Sequence, residues 1–262
     1  MPTTYTHDRF GKDVYRRLPG ELRRIIRKEK KLYLIGLHGP DIFFYYHPLS
    51  TNPVVKKGHR MHERNADEFF ARCKKIYQKQ PDDEVMAYLL GFACHFLLDS
   101  TCHPYIDGYA ERNGVSHAEQ EAELDRIFLL EDGRNPFTYD KSAGICPDYP
   151  GIRAIQRCFP DIALEDIVES LKGMRFYTNL LTQQHALLRN GLVLGMKAAG
   201  ADFSISDQVL RKKTNPMAKP ALSNLLKLYE RALDEAADFL VNLAEYLKDE
   251  GTLSTRFHRN FS

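Results

Sequence analysis

Three side chains that can bind a metal ion recur every four residues within an otherwise apolar stretch, residues 87–108. They are His95, Asp99 and His103. In an α-helix, steps of four residues rotate the side chain by only ~40°, so all three lie on one face. Ionisable groups on the inward face of a core helix cost free energy unless something pairs with them. The pattern therefore indicates a buried metal site on this helix.

Helix geometry limits how these three ligands can share an ion. His95 and His103 lie ~12 Å apart along the helix axis, because the rise is ~1.5 Å per residue. They cannot bind one zinc ion, whose ligand bonds are about 2 Å long. Asp99 lies between them, so its carboxylate either assists His95 at one ion or bridges two ions. His103, at the helix end, is free to reach a separate ion.

Further nitrogen and oxygen ligands occur before and after this helix. His117 and Glu121 form another pair four residues apart, although one such pair alone is common as a surface contact. Asp41 follows Gly39-Pro40, a position where a carboxylate also commonly caps a helix. In chain order the series consists of side chains suited to zinc: His7, Asp41, His59, His95, Asp99, His103, His117 and Glu121.

The elements that position these residues are predicted to be helices throughout. The sequence shows no sustained strand-like alternation and no internal repeat. We expect an all-α fold, a bundle of about eight helices in one domain that spans residues 1–262. Helices are predicted within residues 8–30 with a break at Pro19-Gly20, 30–46 with a break at Gly39-Pro40, 59–78, 81–103, 117–130, 163–189, 191–199 and 220–249.

Local signals predict the ends of the two helices that carry most of the ligands. Acidic residues at 82–84 begin the central helix, since they complement its dipole. Pro104 predicts its end near His103, because the residue before a proline avoids the helical conformation. Ser116 and Glu119 fit a capping box at the start of the next helix. Residues 131–161 are expected to be irregular, as in many functional loops.

Composition narrows the class of protein. The 262 residues suffice for a sizeable core, and 43% hydrophobic with 27% charged residues is ordinary for a soluble globular protein. A net charge of +2 gives no electrostatic case for a nucleic-acid partner. No run of 18 apolar residues occurs, so no transmembrane segment is expected. Five cysteines without paired spacing and no apolar signal region predict free thiols and a cytoplasmic location, with secretion an alternative for a trimmed chain.

The ordered ligand series resembles that of the zinc-dependent phospholipase C family, which includes bacterial phosphatidylcholine-hydrolysing enzymes and the catalytic part of alpha-toxin. It is also similar to that of glycosylphosphatidylinositol-specific phospholipase D. The fungal zinc nucleases have a metal site built on the same principle. The matching features lie within about residues 1–130: Thr6-His7, Gly39-Pro40-Asp41, His59, His95-x3-Asp99, His103 and His117-x3-Glu121. The resemblance implies an all-helical fold, in agreement with the pattern of the elements.

The resemblance also implies a cluster of two to three zinc ions. One ion would be held by Asp41, His59, His95 and Asp99. A second would be held by His103, His117 and Glu121. A third would be held by His7 and Asp99, and Asp99 would bridge this ion to the first ion.

This chain departs from the family pattern in three respects. The family's third ion also uses the amine and carbonyl of an N-terminal residue, usually Trp, whereas this chain has no Trp and six residues precede His7. The spacing from Asp99 to His103 is shorter than in the secreted toxins and similar to that of the phospholipase D branch. The C-terminal residues read as helical, so no β-sandwich domain is expected there.

The activity that the resemblance implies is hydrolysis of a phosphodiester, with a phospholipid or another phosphate ester as substrate. Clustered zinc ions would polarise the ester and lower the pKa of a water molecule towards 7, and Asp41 is the candidate general base. Two alternatives stay open: the same metal core acting on nucleotides, nucleic acid or phosphomonoesters, and a helical metal-binding protein without catalysis. An aromatic rim would favour lipid, and a basic groove with stacking aromatics would favour nucleic acid.

Aromatic, cysteine and further histidine residues lie near these ligands in the sequence. Candidates for a substrate-facing wall, with core packing preferred for the two phenylalanines, are Phe43, Phe44, Tyr45, Tyr46 and Tyr105. Cys94 and Cys102 are interpreted as small buried residues and not as thiolate ligands. Histidines outside the pattern are interpreted as structural or exposed: His38, His47, His62, His185 and His258.

Overall fold

The computed structural model describes residues 4–48, 50–182, 185, 187–188, 190–191, 194–195, 209–210 and 213–262. Within these residues the fold is α-helical and contains no β-strand, which confirms the predicted fold class. The short apolar segment predicted as a helix at 191–199 lies largely outside the described residues.

The N-terminal half begins with short helices that follow one another closely. Proline lacks an amide hydrogen, and Pro19 separates the first two helices as predicted. These elements are α1 (Thr4–Arg17), α2 (Gly20–Lys28), α3 (Lys30–Gly36), a 3-10 helix (Gly39–Tyr45), α4 (Pro53–Glu63) and α5 (Ala66–Lys79).

Two long helices, α6 and α10, dominate the remainder of the chain. The remaining elements are α6 (Asp83–Asn113), α7 (His117–Glu131), α8 (Ile152–Cys158), α9 (Leu164–Leu181), α10 (Lys219–Lys248) and a second 3-10 helix (Thr255–Phe257). The described residues thus hold ten α-helices, more than the eight or so predicted, because the segments at 8–30 and 59–78 each hold two α-helices and α8 lies in the stretch expected to be irregular.

Buried apolar side chains form one large cluster that extends from Tyr5 on α1 to Phe261 near the C-terminus. The apolar stripe of α10 lies within it, as its amphipathic pattern predicts. Every member of that stripe is buried: Leu222, Leu225, Tyr229, Leu233, Ala236, Leu240, Leu243 and Leu247. This continuity supports the interpretation of residues 1–262 as one domain, which stays a prediction.

Helix α6 passes through the centre of this cluster and packs closely against α3. The Cα atom of Gly36 would lie 3.0 Å from a Cβ atom added at Gly91, and the same Cβ atom would overlap the carbonyl oxygen of Tyr33. Only glycine permits two helix backbones to approach so closely. By length and composition α6 could cross a membrane, but 94% of its apolar window is buried inside the protein, as expected of a core helix.

The predicted end of the central helix at His103 is wrong, since α6 continues through Pro104 to Asn113. A proline inside a helix leaves the carbonyl oxygen four residues earlier without its amide donor. Here that oxygen belongs to Ser100, and Nη1 of Arg259 lies 3.5 Å from it as a replacement donor. Arg256 also donates to the hydroxyl groups of Ser100 and Thr101. The C-terminal segment therefore stabilises the proline-containing turn.

The single helix predicted at 59–78 is two helices in the structure. Asn52 caps α4 by accepting a hydrogen bond from the amide of Val55 at 2.9 Å, so this helix begins six residues before His59. It ends at Glu63, where the backbone of Arg64 turns extended. His59 and His62 therefore both lie on α4 and not on α5.

Candidate metal centre

Seven of the eight predicted ligands come together in two adjoining groups. The first group consists of His7, Asp41, His95 and Asp99, and the second of His103, His117 and Glu121. Within each group the ligand atoms lie within 4.8 Å of one another. The side chains come from α1, the first 3-10 helix, α6 and α7, so residues distant in sequence meet at one place.

Asp99 is the residue that joins the two groups. One carboxylate oxygen, Oδ1, lies 3.2 Å from Nε2 of His7 and 3.4 Å from Nε2 of His103. The other oxygen, Oδ2, lies 3.0 Å from Nε2 of His95. A carboxylate with imidazole groups on both oxygens has the geometry expected of a bridging ligand.

The backbone around Gly39 brings Asp41 to the first group. Gly39 has a φ of +49°, a left-handed conformation that glycine adopts without strain. A Cβ atom at this position would overlap the ring of His95, so glycine also permits the close approach. The N-cap residue of the first 3-10 helix is His38, and Asp41 lies in the first turn of that helix. The Oδ2 atom of Asp41 lies 3.5 Å from Nε2 of His95.

The structure does not bring His59 to either group, and His62 lies where His59 was expected. His59 is exposed, and its ring packs against Phe44 with centroids 4.7 Å apart. His62 places Nε2 3.0 Å from Oδ1 of Asp41. The buried residues of α4 are Val54, Gly58 and Met61.

The sequence contains a helix-start signal that helps to place His62 on the inner face of α4. Asn52-Pro53 is a favourable helix start, with a capping side chain followed by proline in the first helical position. Counting from that start, His62 follows Val54 by eight residues and therefore shares its face, whereas His59 points away. The interpretation of His62 as structural or exposed rested on the resemblance, which gives the ligand role to His59.

The second group forms where α6 and α7 lie side by side. Nε2 of His117 lies 3.1 Å from Oε1 of Glu121, and Nε2 of His103 lies 3.5 Å from the same oxygen. Ser116 accepts a hydrogen bond from the amide of Glu119 at 3.2 Å, which confirms the predicted cap. His117 therefore stands in the first turn of α7 with Glu121 one turn later on the same face.

Two of the histidines are oriented by contacts on the far side of their rings. Nδ1 of His62 lies 2.9 Å from the carbonyl oxygen of Gly58, and Nδ1 of His117 lies 2.7 Å from Oδ1 of Asp107. Both partners accept a hydrogen bond from Nδ1, so Nε2 is the atom presented to the group. Metal-binding histidines in proteins commonly have this arrangement. Asp107 is not part of the predicted ligand series.

The start of α1, which carries His7, is held by a carboxylate from α7. Asp125 accepts hydrogen bonds from the amide and the hydroxyl of Thr6, each at 2.8 Å. It is fully buried, and Nζ of Lys141 lies 3.3 Å from its other oxygen. A carboxylate at the first amides of a helix is favourable because it satisfies unpaired donors and complements the dipole. His7 is thereby held against Asp99.

Several side-chain nitrogen and oxygen atoms that could bind a metal ion are buried in the two groups and have no hydrogen-bond partner. They are Nδ1 of His7, both ring nitrogens of His95, Oδ2 of Asp41, Nε2 of His117 and Oε2 of Glu121. Buried polar atoms are rarely left unpaired. Each residue of the two groups also places one nitrogen or oxygen atom within 4.8 Å of those of its group, and nitrogen and oxygen atoms are the donor set zinc prefers. The residues therefore fit bound zinc ions.

Electrostatics in the metal-free groups points the same way. Burial opposes ionisation of Asp99, but the imidazole groups of His103 and His95 outweigh it and hold its pKa well below the usual range. Burial likewise opposes protonation of His117, yet Glu121 and the hydrogen bond to Asp107 raise its pKa to about 10. The carboxylates therefore stay negatively charged and favour protonation of His117. In the metal-free protein such protons supply the positive charge that metal ions would supply.

A second buried pair, His38 and Asp8, borders the first group. Nε2 of His38 lies 3.7 Å from Oδ1 of Asp8, and neither ring nitrogen of His38 has a hydrogen-bond partner. Burial lowers the pKa of His38 to about 3 and raises the pKa of Asp8 to about 7. His38 is therefore a neutral imidazole next to the ligands His7 and His95.

The proposed aromatic wall is mostly part of the core. Phe43, Phe44 and Tyr45 are buried, in line with the preferred interpretation for the two phenylalanines. Tyr46 is partly exposed and donates to Oδ1 of Asp166 at 2.8 Å. Tyr105 is partly exposed and accepts a hydrogen bond from Asn224.

The two cysteines beside the ligands are buried and lie outside both groups. Burial raises the pKa of the Cys94 thiol to about 12, although a hydrogen bond with Tyr33 works in the opposite direction. Burial also raises the pKa of the Cys102 thiol. Both are therefore neutral thiols at physiological pH, and a thiolate ligand would require a large shift in the other direction.

Comparison with known proteins identifies the family. The family described as zinc dependent phospholipase C matches residues 6–173, which is well over half of the chain and includes both ligand groups. No curated protein and no solved structure matched the chain. Its buried histidine and carboxylate groups fit a metal-binding hydrolase. The chain belongs to the zinc-dependent phospholipase C family.

Proposed function

We propose that the protein is a zinc-dependent phosphodiester hydrolase that cleaves a phospholipid in the manner of a phospholipase C. The observation that carries this proposal is the convergence of histidine Nε2 atoms on three buried carboxylates within the part of the chain that matches the family. A phospholipid substrate follows from the family membership and not from the geometry of the site.

The ligand sets in this proposal differ from the sequence expectation at one position. Asp41, His62, His95 and Asp99 would hold one zinc ion, with His62 in place of His59. His103, His117 and Glu121 would hold a second ion. His7, with Asp99 as the bridge, would contribute to a third. Two ions therefore have complete protein ligand sets, and the third needs a further ligand.

The charges of the site favour divalent cations. With neutral histidines, Asp41, Asp99 and Glu121 bring three negative charges into a buried region. Uncompensated buried charges are costly. Two zinc ions would leave a net charge of about +1, and such a site attracts a phosphate diester.

Within the site the chain's own residues have separate roles. Zinc bound there would polarise the phosphate oxygens and acidify a water molecule. Asp41 is the proposed general base, because its Oδ2 atom has no hydrogen-bond partner and is available to accept a proton from water. His62 and His95 lie on either side of this carboxylate, at 3.0 Å and 3.5 Å, and fix its orientation.

The proposal is tested by zinc quantification combined with hydrolysis assays on four substrates. These are phosphatidylcholine vesicles, bis-p-nitrophenyl phosphate, p-nitrophenyl phosphate and a single-stranded oligonucleotide. We expect at least two zinc ions per chain and turnover of the vesicles and of the generic diester. Turnover of only the oligonucleotide or the monoester would replace the substrate assignment, and a zinc-loaded protein without any turnover would overturn the enzymatic proposal.

Two variants test the bridging role of Asp99 and the role of Asp41 as general base, with the zinc content measured for each. Asp99→Asn removes the bridging charge, and we expect it to lose more zinc than any other single substitution in the site. Asp41→Asn keeps the shape of the side chain, and we expect the rate to fall by about 100-fold to 10,000-fold, the usual contribution of a general base. Asp238→Asn, an exposed carboxylate on α10, serves as the control and should behave as the wild-type protein.

A further inference from the structure

A cavity lies outside the two ligand groups, between α4, α5 and the C-terminal residues. Its volume is about 180 Å³, and four cationic side chains line it together with a single carboxylate, that of Glu68. The cations are Lys57, Arg60, Arg64 and Arg72. The lining therefore carries a formal charge of about +3.

Only part of this charge is compensated by neighbouring residues. Nζ of Lys57 lies 2.6 Å from Oδ2 of Asp161, and Arg64 lies 3.6 Å from Glu68 in an exposed pair. Among the residues that the structure describes, neither Arg60 nor Arg72 makes an ion pair with an acidic side chain. The guanidinium group of Arg72 instead lies 5.5 Å from the ring centroid of Phe69. Against the effect of burial, Lys57, with a smaller contribution from Arg72, lowers the pKa of Asp161. Neither Arg60 nor Arg72 is held in a direct ion pair with a described residue, so both guanidinium groups are available to an external anion.

The floor of the cavity is apolar. Met61, Ala66, Phe69 and Phe261 line it, and all four are buried. The C-terminal segment closes this side, since the amide of Ala66 donates to the carbonyl oxygen of Arg259 at 2.9 Å. A cationic rim above an apolar floor suits a ligand that is itself part anion and part hydrocarbon.

We propose that this cavity binds the phosphate group of an anionic amphiphile, a phosphate ester with an attached apolar chain, at a site separate from the metal centre. Guanidinium groups bind phosphate oxygens in pairs and tolerate partial desolvation better than ammonium groups. The volume corresponds to about six water molecules at ~30 Å³ each. One phosphate group and the first part of an apolar chain fit that space.

The cavity shares one residue with the surroundings of the metal centre. The ring centroid of Phe261 lies 5.0 Å from that of His62, and its amide donates to the carbonyl oxygen of His62 at 3.3 Å. The ring of Phe261 therefore lies between a ligand bound in the cavity and the imidazole ring of His62, which contacts Asp41 of the first ligand group. The proposal does not depend on the enzymatic activity, because it concerns binding to a different set of side chains.

The test uses the zinc-loaded protein and the double variant Arg60→Gln/Arg72→Gln. Binding is measured by co-sedimentation with phosphatidylcholine vesicles that contain or lack phosphatidic acid. Each cation near an anionic surface contributes about fivefold to affinity, so we expect the double variant to bind the anionic vesicles about 30-fold more weakly. The matched control is Arg23→Gln/Arg27→Gln on α2, two exposed arginines outside the cavity.

Inorganic phosphate distinguishes the two sources of the phosphate group. If millimolar phosphate does not displace the wild-type protein from anionic vesicles, the ligand is a lipid headgroup. If it displaces the protein, and its own binding is weaker in the cavity variant, the cavity binds free phosphate and the assignment to an amphiphile is overturned. The proposal is overturned if the cavity variant binds vesicles and phosphate as the wild-type protein does, or if the control variant loses as much binding. Zinc content and melting temperature verify that each variant is folded.

Discussion

The imidazole of His62 lies against the carboxylate of Asp41, with Nε2 and Oδ1 3.0 Å apart. His59, three residues earlier on the same helix, is exposed and packs on Phe44. We therefore expect His62→Ala to lower the zinc content by about one ion per chain, because Asp41 and its neighbours lose one of four ligands. His59→Ala should keep the wild-type content. Elemental analysis after dialysis measures both, and the reverse result would return the ligand role to His59.

Asp107 orients His117, and its removal should weaken the second ligand group without removing a ligand. Loss of such an orienting partner typically lowers metal affinity by 10-fold to 100-fold. We expect Asp107→Asn to show this loss in competition with a fluorescent zinc chelator, and the weakest-held zinc ion of the variant to come from the second group. Asp238→Asn is the control. An unchanged affinity in Asp107→Asn would show that the packing of α6 and α7 alone orients His117.

Zinc binding should release protons near neutral pH. The carboxylates raise the pKa of His7, His62 and His117 in the metal-free protein, against the opposing effect of burial. A histidine must be deprotonated to bind zinc. We expect calorimetric titrations at pH 7 in two buffers of different ionisation enthalpy to show release of at least one proton per chain. Equal heats in the two buffers would contradict this expectation.

The same shifts predict how the stability of the metal-free protein depends on pH. A histidine whose folded pKa is raised stabilises the fold below its unfolded pKa of about 6.5, and this contribution is lost as pH rises through the folded pKa. His117, with a pKa of about 10, places that loss between about pH 6.5 and 10. We expect the metal-free protein to lose stability over this range. The zinc-loaded protein, whose histidines carry no such proton, should not follow the same course.

The close contact between α3 and α6 makes one glycine of α6 essential to the fold. A methyl group at Gly91 would overlap the carbonyl oxygen of Tyr33, and overpacking of this kind costs about 1–3 kcal/mol. We expect Gly91→Ala to lower the free energy of unfolding by at least that amount, measured by urea denaturation.

A second glycine of α6 provides the control. At Gly108 the nearest atom to an added methyl group is Nη1 of Arg112, at 3.1 Å, which belongs to a flexible side chain. Gly108→Ala should therefore be neutral or stabilise the helix by up to about 1 kcal/mol. A similar destabilisation in both variants would show that the loss at Gly91 does not come from the contact between α3 and α6.

The spacing of ligands along each helix could be predicted from the sequence because it depends only on local geometry. His95, Asp99 and His103 recur at steps of four, so their common face and the need for more than one ion follow from helix dimensions. The pair His117 and Glu121 follows from the cap at Ser116 in the same way. The all-α fold class follows from the apolar periodicity of the helices. The cytoplasmic location remains a prediction from composition.

Other features depended on contacts between residues distant in sequence. The continuation of α6 past Pro104 requires a donor for the carbonyl oxygen of Ser100, and Arg259, more than 150 residues later, lies in position to supply it. The choice of His62 over His59 depends on which face of α4 packs against Asp41. Asp107 and Asp125 act through residues on other helices. Helix periodicity determines which side chains share a face, but only the packing of helices determines which faces meet.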